Sequence, residues 1–187
     1  MEELRLLGHR PYFIQGGGHG NIGTQAYVEA YNEIYDYETA TGIHFDYVFH
    51  ASGTGTTQAG LICGQRIKAV CEKTIVGISI ARRNPYGKQH VVDSVNSYFG
   101  RTEVGANQVQ FLDQYIGVGY GHVYPEVLAT IKRMWLQNGI PLDTVYTGKA
   151  FYGAEQYLIQ NQIEGKNILF IHTGGTPLFF DDLERIK

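Results

Sequence analysis

Residues 45–60 read FDYVFHASGTGTTQAG. The aromatic and β-branched run Phe45–Phe49 has the composition of a buried strand, and the residues after Thr57 read as a small, tightly packed helix. Between them stand Ser52, Gly53, Thr54, Gly55 and Thr56, all small or hydroxylated. Glycine there lets the backbone take positive φ and approach a ligand without a Cβ in the way. The unpaired amides of the following helix aim at one point, with the positive end of the helix dipole behind them. Thr54, Thr56 and Thr57 add hydroxyl donors, and the set suits a phosphate. No lysine of the G-x-x-x-x-G-K-[ST] kind is present, nor the G-x-G-x-x-G spacing of a dinucleotide fold, so a single phosphomonoester matches better than a nucleotide. Taken alone, the loop also reads as a tight strand-to-helix turn that holds nothing.

The same alternation recurs along the chain. Residues 11–15 (PYFIQ), 74–81 (TIVGISIA) and 167–173 (NILFIHT) read as further strands. Helices are predicted over 22–40, with Ile22, Ala26, Val28 and Ala30 near one face, and over 57–70. Others are predicted from Asn84 as cap with Pro85 at the first position, from Tyr124-Pro125-Glu126, and over 149–162. Strands alternating with helices of this length predict an α/β fold, a parallel sheet flanked by helices on both faces. Ligands of such sheets sit beyond the carboxyl ends of the strands, and the glycine clusters that follow a strand, GGGHGNIG, SGTGTTQAG and HTGG, are expected on that rim.

Bulk properties narrow the function. A chain of 187 residues, 43% hydrophobic, can bury one sizeable core, so one domain or most of one is expected. A formal net charge of -3 without a long basic run argues against nucleic-acid binding. No stretch approaches the roughly 18 consecutive apolar residues of a membrane span, and the first ten residues lack a signal-peptide layout. No membrane association and a cytoplasmic location are therefore expected. Cys63 and Cys71 lack a His or Cys at ligand spacing, so both are expected as small buried hydrophobes and no metal site is predicted.

Four ordered motifs carry a resemblance: FDYVFHASGTGTTQAGL, VGYG, LDTVYTGKA and ILFIHTGGTP. Together they resemble the D-cysteine desulfhydrase and 1-aminocyclopropane-1-carboxylate deaminase family of pyridoxal-phosphate-dependent enzymes, over nearly the whole chain. The resemblance implies a fold-type II architecture, like the tryptophan synthase β chain, with pyridoxal 5'-phosphate as cofactor. It implies that Gly53, Thr54, Gly55, Thr56 and Thr57 hold the cofactor phosphate. It also implies that Tyr120 and Tyr146 lie against a small amino-acid substrate and handle its protons or leaving group, a role suited to a hydroxyl. Thr173 is implied at the pyridine nitrogen, where a neutral partner makes the ring a weaker electron sink than a carboxylate would. Thr147 stands where the deaminase branch carries an acidic residue, which tilts the match toward D-cysteine desulfhydrase. His172 reads either as a ligand contact or as a core histidine, and Lys149 as a first-turn helix residue.

Two departures accompany the match. His19 in GGHGNIG replaces a serine of the family pattern. None of Lys68, Lys73, Lys88, Lys132, Lys149, Lys166 and Lys187 lies in the Asn-Lys-x-Arg-Lys context that supplies the family's Schiff-base lysine. Residues 1–187 are therefore expected to be the C-terminal part of the large domain, without the lysine segment and the small domain. Either a complementary N-terminal chain completes the enzyme, with a complementary chain and/or a homo-oligomer as the expected partners, or the chain is a non-catalytic remnant or phosphate-binding module acting through protein contacts.

Overall fold

The computed structural model describes residues 1–69 and 73–186. Its centre is strand β1 (Tyr47–Ser52), which pairs in parallel with β2 (Thr74–Ser79) on one side and β4 (Ile168–Ile171) on the other. Strand β3 (Gln110–Leu112) extends β2, also in parallel, giving the order β3-β2-β1-β4. The register sets Val48 beside Ile75 and Leu169, and Phe49 beside Val76 and Phe170.

Alternation along the strands divides the core in two. Val48 and Ile75 face helices α2 (Asn21–Thr41), α3 (Thr56–Lys68) and α4 (Tyr86–Phe99), while Phe49, Val76 and Ile78 face α6 (Thr147–Gln160). Helix α5 (Pro125–Asn138) packs outside α6 with the short α7 (Thr176–Asp181) and α8 (Leu183–Ile186) around Phe179; a further turn, α1, spans Glu2–Leu6. Both faces of the parallel sheet are thus covered, and its strands read as continuous apolar runs. Cys63 is fully buried, and burial pushes its thiol up to about 12; Cys71 lies outside the described residues. Among the described residues no helix is long and apolar enough to cross a membrane.

Several expectations are corrected. Residues 11–15 form no strand, and Tyr12, Phe13 and Ile14 are largely exposed. A strand needs a neighbour for its amides and carbonyls, and no strand of the described sheet pairs with this segment. Helix α2 does not bury Ile22, which is 77% exposed; it buries Thr24, Val28, Tyr31 and Glu38. Its contact with α3 selects that face. A Cβ on Gly60 would stand 2.3 Å from Tyr27 Cβ, and one on Gly64 2.4 Å from Tyr31 Cβ, so the two glycines let the helices close on each other. Asn84 does not cap α4: its amide and side chain bond Asp113 and the Phe111 carbonyl, tying the segment to β3. Strand β3 itself escaped the sequence reading because three residues with one buried side chain show no periodicity.

Candidate functional site

The carboxyl ends of β1, β2 and β4 open on a cavity of about 530 Å³. Its floor is the turn after β1, from which Gly53, Thr54 and Thr57 line it. Gly55 and Thr56 are buried behind them. Gly55 is the N-cap of α3 at φ 92°, a conformation other residues adopt only with strain, and any Cβ there would also press Val91 Cγ2 at 3.1 Å. Among the described residues no side chain caps the helix, so its first amides are left for a ligand or solvent. Thr56 Oγ1 lies 3.1 Å from Thr54 Oγ1 and 3.3 Å from His19 Nδ1, a hydroxyl chain that orients the turn. At its root the Ser52 hydroxyl is buried without a partner among the described residues. Gly17 of the preceding loop presses on the same turn: a Cβ on it would come within 2.7 Å of Thr54 Cγ2.

Across the cavity Tyr120 and Tyr146 meet hydroxyl to hydroxyl at 2.5 Å, with ring centroids 6.1 Å apart. Tyr120 is 61% exposed, whereas Tyr146 is half-buried at the start of α6. The hydrogen bond to Tyr120, with burial and the nearby Asp143 charge behind it, raises Tyr146 to about 12. At neutral pH it therefore holds its proton, and either hydroxyl can be the donor of the pair. Asp143 positions it: Oδ2 accepts the amides of Val145 and Tyr146 at 2.8 and 2.7 Å, and Oδ1 accepts the Thr147 amide at 2.7 Å. Gly175 fits against this carboxylate only because it lacks a Cβ, which would stand 2.5 Å from Oδ1. Asp143 thus couples the tyrosine wall to the turn carrying Thr173, Gly174 and Gly175, which closes the cavity past β4.

Thr173 lines the cavity, whereas His172 does not. His172 is exposed, its Nε2 3.0 Å from the Pro141 carbonyl and its Nδ1 accepting the Gly174 amide. Lys149 does sit in the first turn of α6, fully buried, its ammonium donating to the Ile116 carbonyl at 3.0 Å. Among the described residues no lysine lines the cavity, and the one cationic wall residue is Arg82. Sequence reasoning passed over Arg82, Asp143 and Gly17. For Asp143 a signal was present, an acidic residue just ahead of a predicted helix start.

An uncapped helix start, hydroxyls around it and a cavity with no carboxylate in its lining fit the phosphate end of pyridoxal phosphate. Comparison with known proteins leads to the same chemistry. Residues 1–174 match the model of the family described as pyridoxal-phosphate dependent enzyme. A Pyrococcus abyssi protein that carries the name "Putative 1-aminocyclopropane-1-carboxylate deaminase" is 36% identical over 182 residues, 96% of this chain and 54% of its own. D-cysteine desulfhydrase of Klebsiella pneumoniae is 33% identical over 179 residues, 95% of this chain and 54% of its own. The chain spans about half the length of these curated relatives. The crystal structure of an ACC deaminase homologue superposes with TM-score 0.84 at 34% identity, covering 99% of this chain and 55% of that one. Threonine deaminase isoform 2 of Solanum lycopersicum, at 18% identity and TM-score 0.53, shares the fold alone. These neighbours are fold-type II enzymes, and a family match that begins at residue 1 and runs through the β1 turn and the tyrosine wall to Gly174 makes this chain a member of the pyridoxal-phosphate-dependent enzymes.

Proposed function

We propose that this chain is the cofactor-holding part of a pyridoxal-phosphate-dependent lyase or deaminase of small amino acids, with D-cysteine as substrate. The observation that carries the reading is the cavity between the uncapped start of α3 and the Tyr120–Tyr146 pair. Gly53, Thr54, Gly55, Thr56 and Thr57 bind the phosphate, by amides and hydroxyls or by shaping the turn. Thr173 offers a neutral hydroxyl to the ring nitrogen. Bound pyridoxal phosphate supplies an electron sink for charge developing at the substrate α-carbon. Tyr146, protonated at neutral pH, donates toward the substrate or its leaving group, and Tyr120 relays a proton from solvent back to it. The net reaction converts D-cysteine and water to pyruvate, ammonia and hydrogen sulfide.

No described lysine lines the cavity, so the Schiff-base lysine is supplied by polypeptide outside these residues. Residues 1–187 are in this reading the C-terminal part of the large domain, completed by a complementary N-terminal polypeptide, with or without homo-oligomerisation, in the cytoplasm. The free edge of β4 and the exposed Tyr12, Phe13 and Ile14 favour such association. The same lack of a lysine favours a second reading, a non-catalytic remnant that holds a phosphorylated small molecule and works through protein contacts.

The test adds pyridoxal phosphate to the purified chain, records the visible spectrum, reduces with borohydride and maps any labelled lysine by mass. Expected is specific labelling only when a polypeptide covering the rest of the relatives' length is supplied. Stoichiometric labelling of one lysine of this chain alone refutes the claim of an external lysine. Failure to bind pyridoxal phosphate in either setting refutes the enzyme reading.

A further inference from the structure

Arg82 lies three residues past Ser79, the end of β2, and is half-buried in the cavity wall. One guanidinium nitrogen, Nη1, donates to the Thr54 carbonyl at 2.8 Å, which ties the side chain to the turn after β1. That acceptor is neutral, and among the described residues no carboxylate lies within ion-pair distance of Arg82. Its charge is therefore uncompensated, and His90 feels it: burial first and the Arg82 charge second lower that imidazole below its usual range. The guanidinium carries five N–H donors in a planar fork, and the Thr54 carbonyl engages one of them.

Charge balance says what such a cation is for. A phosphomonoester carries about -1.5 to -2 near neutral pH, whereas a helix start offers the equivalent of only about +0.5. The floor of the cavity is otherwise glycine and threonine, so the backbone and hydroxyl cup leaves most of the anion's charge unmatched. From these contacts we infer that Arg82 is the charge-bearing anchor of the phosphate cup, binding a phosphomonoester dianion through N–H groups left free by its bond to Thr54. This rests on the reading of the cavity as a cofactor site, but it assigns a residue of the segment after β2 to a subsite otherwise built from the β1–α3 turn. The neighbouring Arg83 is exposed and bonds the Gly117 carbonyl at 2.9 Å outside the cavity lining, so it removes the same charge without the same position.

The test titrates the folded chain with inorganic phosphate in phosphate-free buffer, followed by 31P NMR, and with pyridoxal phosphate and pyridoxal by calorimetry. Variants are Arg82→Gln, Arg82→Lys and Arg83→Gln, each checked for an unchanged thermal melt. Expected is a roughly ten- to hundredfold loss of affinity for phosphate and pyridoxal phosphate in Arg82→Gln. Arg82→Lys should recover part of it, with pyridoxal unaffected throughout and Arg83→Gln near wild type. Equal affinity of Arg82→Gln and wild type for inorganic phosphate overturns the assignment. So does an equal loss in Arg83→Gln, or a wild-type chain that binds no phosphate at all. An Arg82→Gln effect confined to acetate or glycine, with phosphate unmoved, overturns it in favour of a carboxylate site. If phosphate binds in an Arg82-dependent way while pyridoxal phosphate does not, the anchor stands and the cofactor reading falls.

Discussion

His50 is the middle of β1, fully buried and paired by its backbone with Gly77 and Ile171. Its Nδ1 lies 3.0 Å from the Ala51 carbonyl, which can only accept, so Nδ1 carries the hydrogen. Nε2 has no partner among the described residues. A second proton would place a charged donor inside the sheet with nothing to receive it, and burial depresses the group to about 4 from the ordinary 6.5. Because the folded value is the lower one, the contribution to stability is complete above pH 6.5 and is lost as pH falls toward 4. At about 1.36 kcal/mol per unit, the full shift is worth about 3 kcal/mol, of which about 2.5 kcal/mol is gone at pH 4.5. That is a large share of the 5–15 kcal/mol typical of a domain. Asp46 and Asp182 are held below the usual carboxylate range, the first by the Asn167 amide and the second by the Thr144 hydroxyl, so they titrate mainly below this window. Urea denaturation at pH 7.5, 6.5, 5.5 and 4.5, read by the fluorescence of Trp135 where it packs on Phe179, measures the loss. His50→Gln, which keeps a donor for Ala51 but does not titrate, should flatten the profile. If wild type and variant lose stability in parallel between pH 6.5 and 4.5, the buried imidazole is not the cause.

Three further perturbations probe the frame and the site. Tyr120→Phe removes the hydroxyl whose hydrogen bond raises Tyr146, so Tyr146 should titrate closer to pH 10 than to about 12; NMR of 13C-labelled tyrosine reads this directly, and an unchanged value contradicts the hydroxyl pair. Gly64→Ala drives a methyl to 2.4 Å from Tyr31 Cβ and should cost about 1–3 kcal/mol in a thermal or urea melt. No change would mean that α2 and α3 part without loss. Glu38→Ala leaves the buried Lys73 ammonium, now 2.8 Å from Glu38 Oε2, without a carboxylate and with the neutral Tyr31 hydroxyl at 3.3 Å, and should cost about 3 kcal/mol. Glu38→Leu combined with Lys73→Met should cost much less, and an equal loss in both would show that packing rather than the unpaired charge sets the penalty.

The β1–α3 junction was legible because everything that makes it lies within a dozen consecutive residues. An apolar strand, glycines and hydroxyls, then a small-residue helix carry the phosphate reading without knowledge of neighbours. The parallel α/β arrangement was legible for a similar reason, since alternating periodicities constrain layers and handedness. Segment 11–15 misled because a β-like composition describes a strand only where an edge is available to pair with it. Helix α2 misled because its tyrosines blur the apolar stripe, and the closeness of Gly60 and Gly64 chose the buried face instead.

For the site the division is sharper. Local sequence determined the turn chemistry of Gly53–Thr57 and the motif positions of Tyr120, Tyr146 and Thr173. Tertiary structure decided that the two hydroxyls meet across 26 residues, and that Thr54 and Thr57 face the cavity while Thr56 is buried behind them. It also decided that Arg82, 28 residues from Thr54, joins the same wall. Turn conformation depends on φ, ψ and the next few side chains, which a sequence displays. Contacts between the ends of adjacent strands depend on sheet order and register, which arise only when the whole core packs.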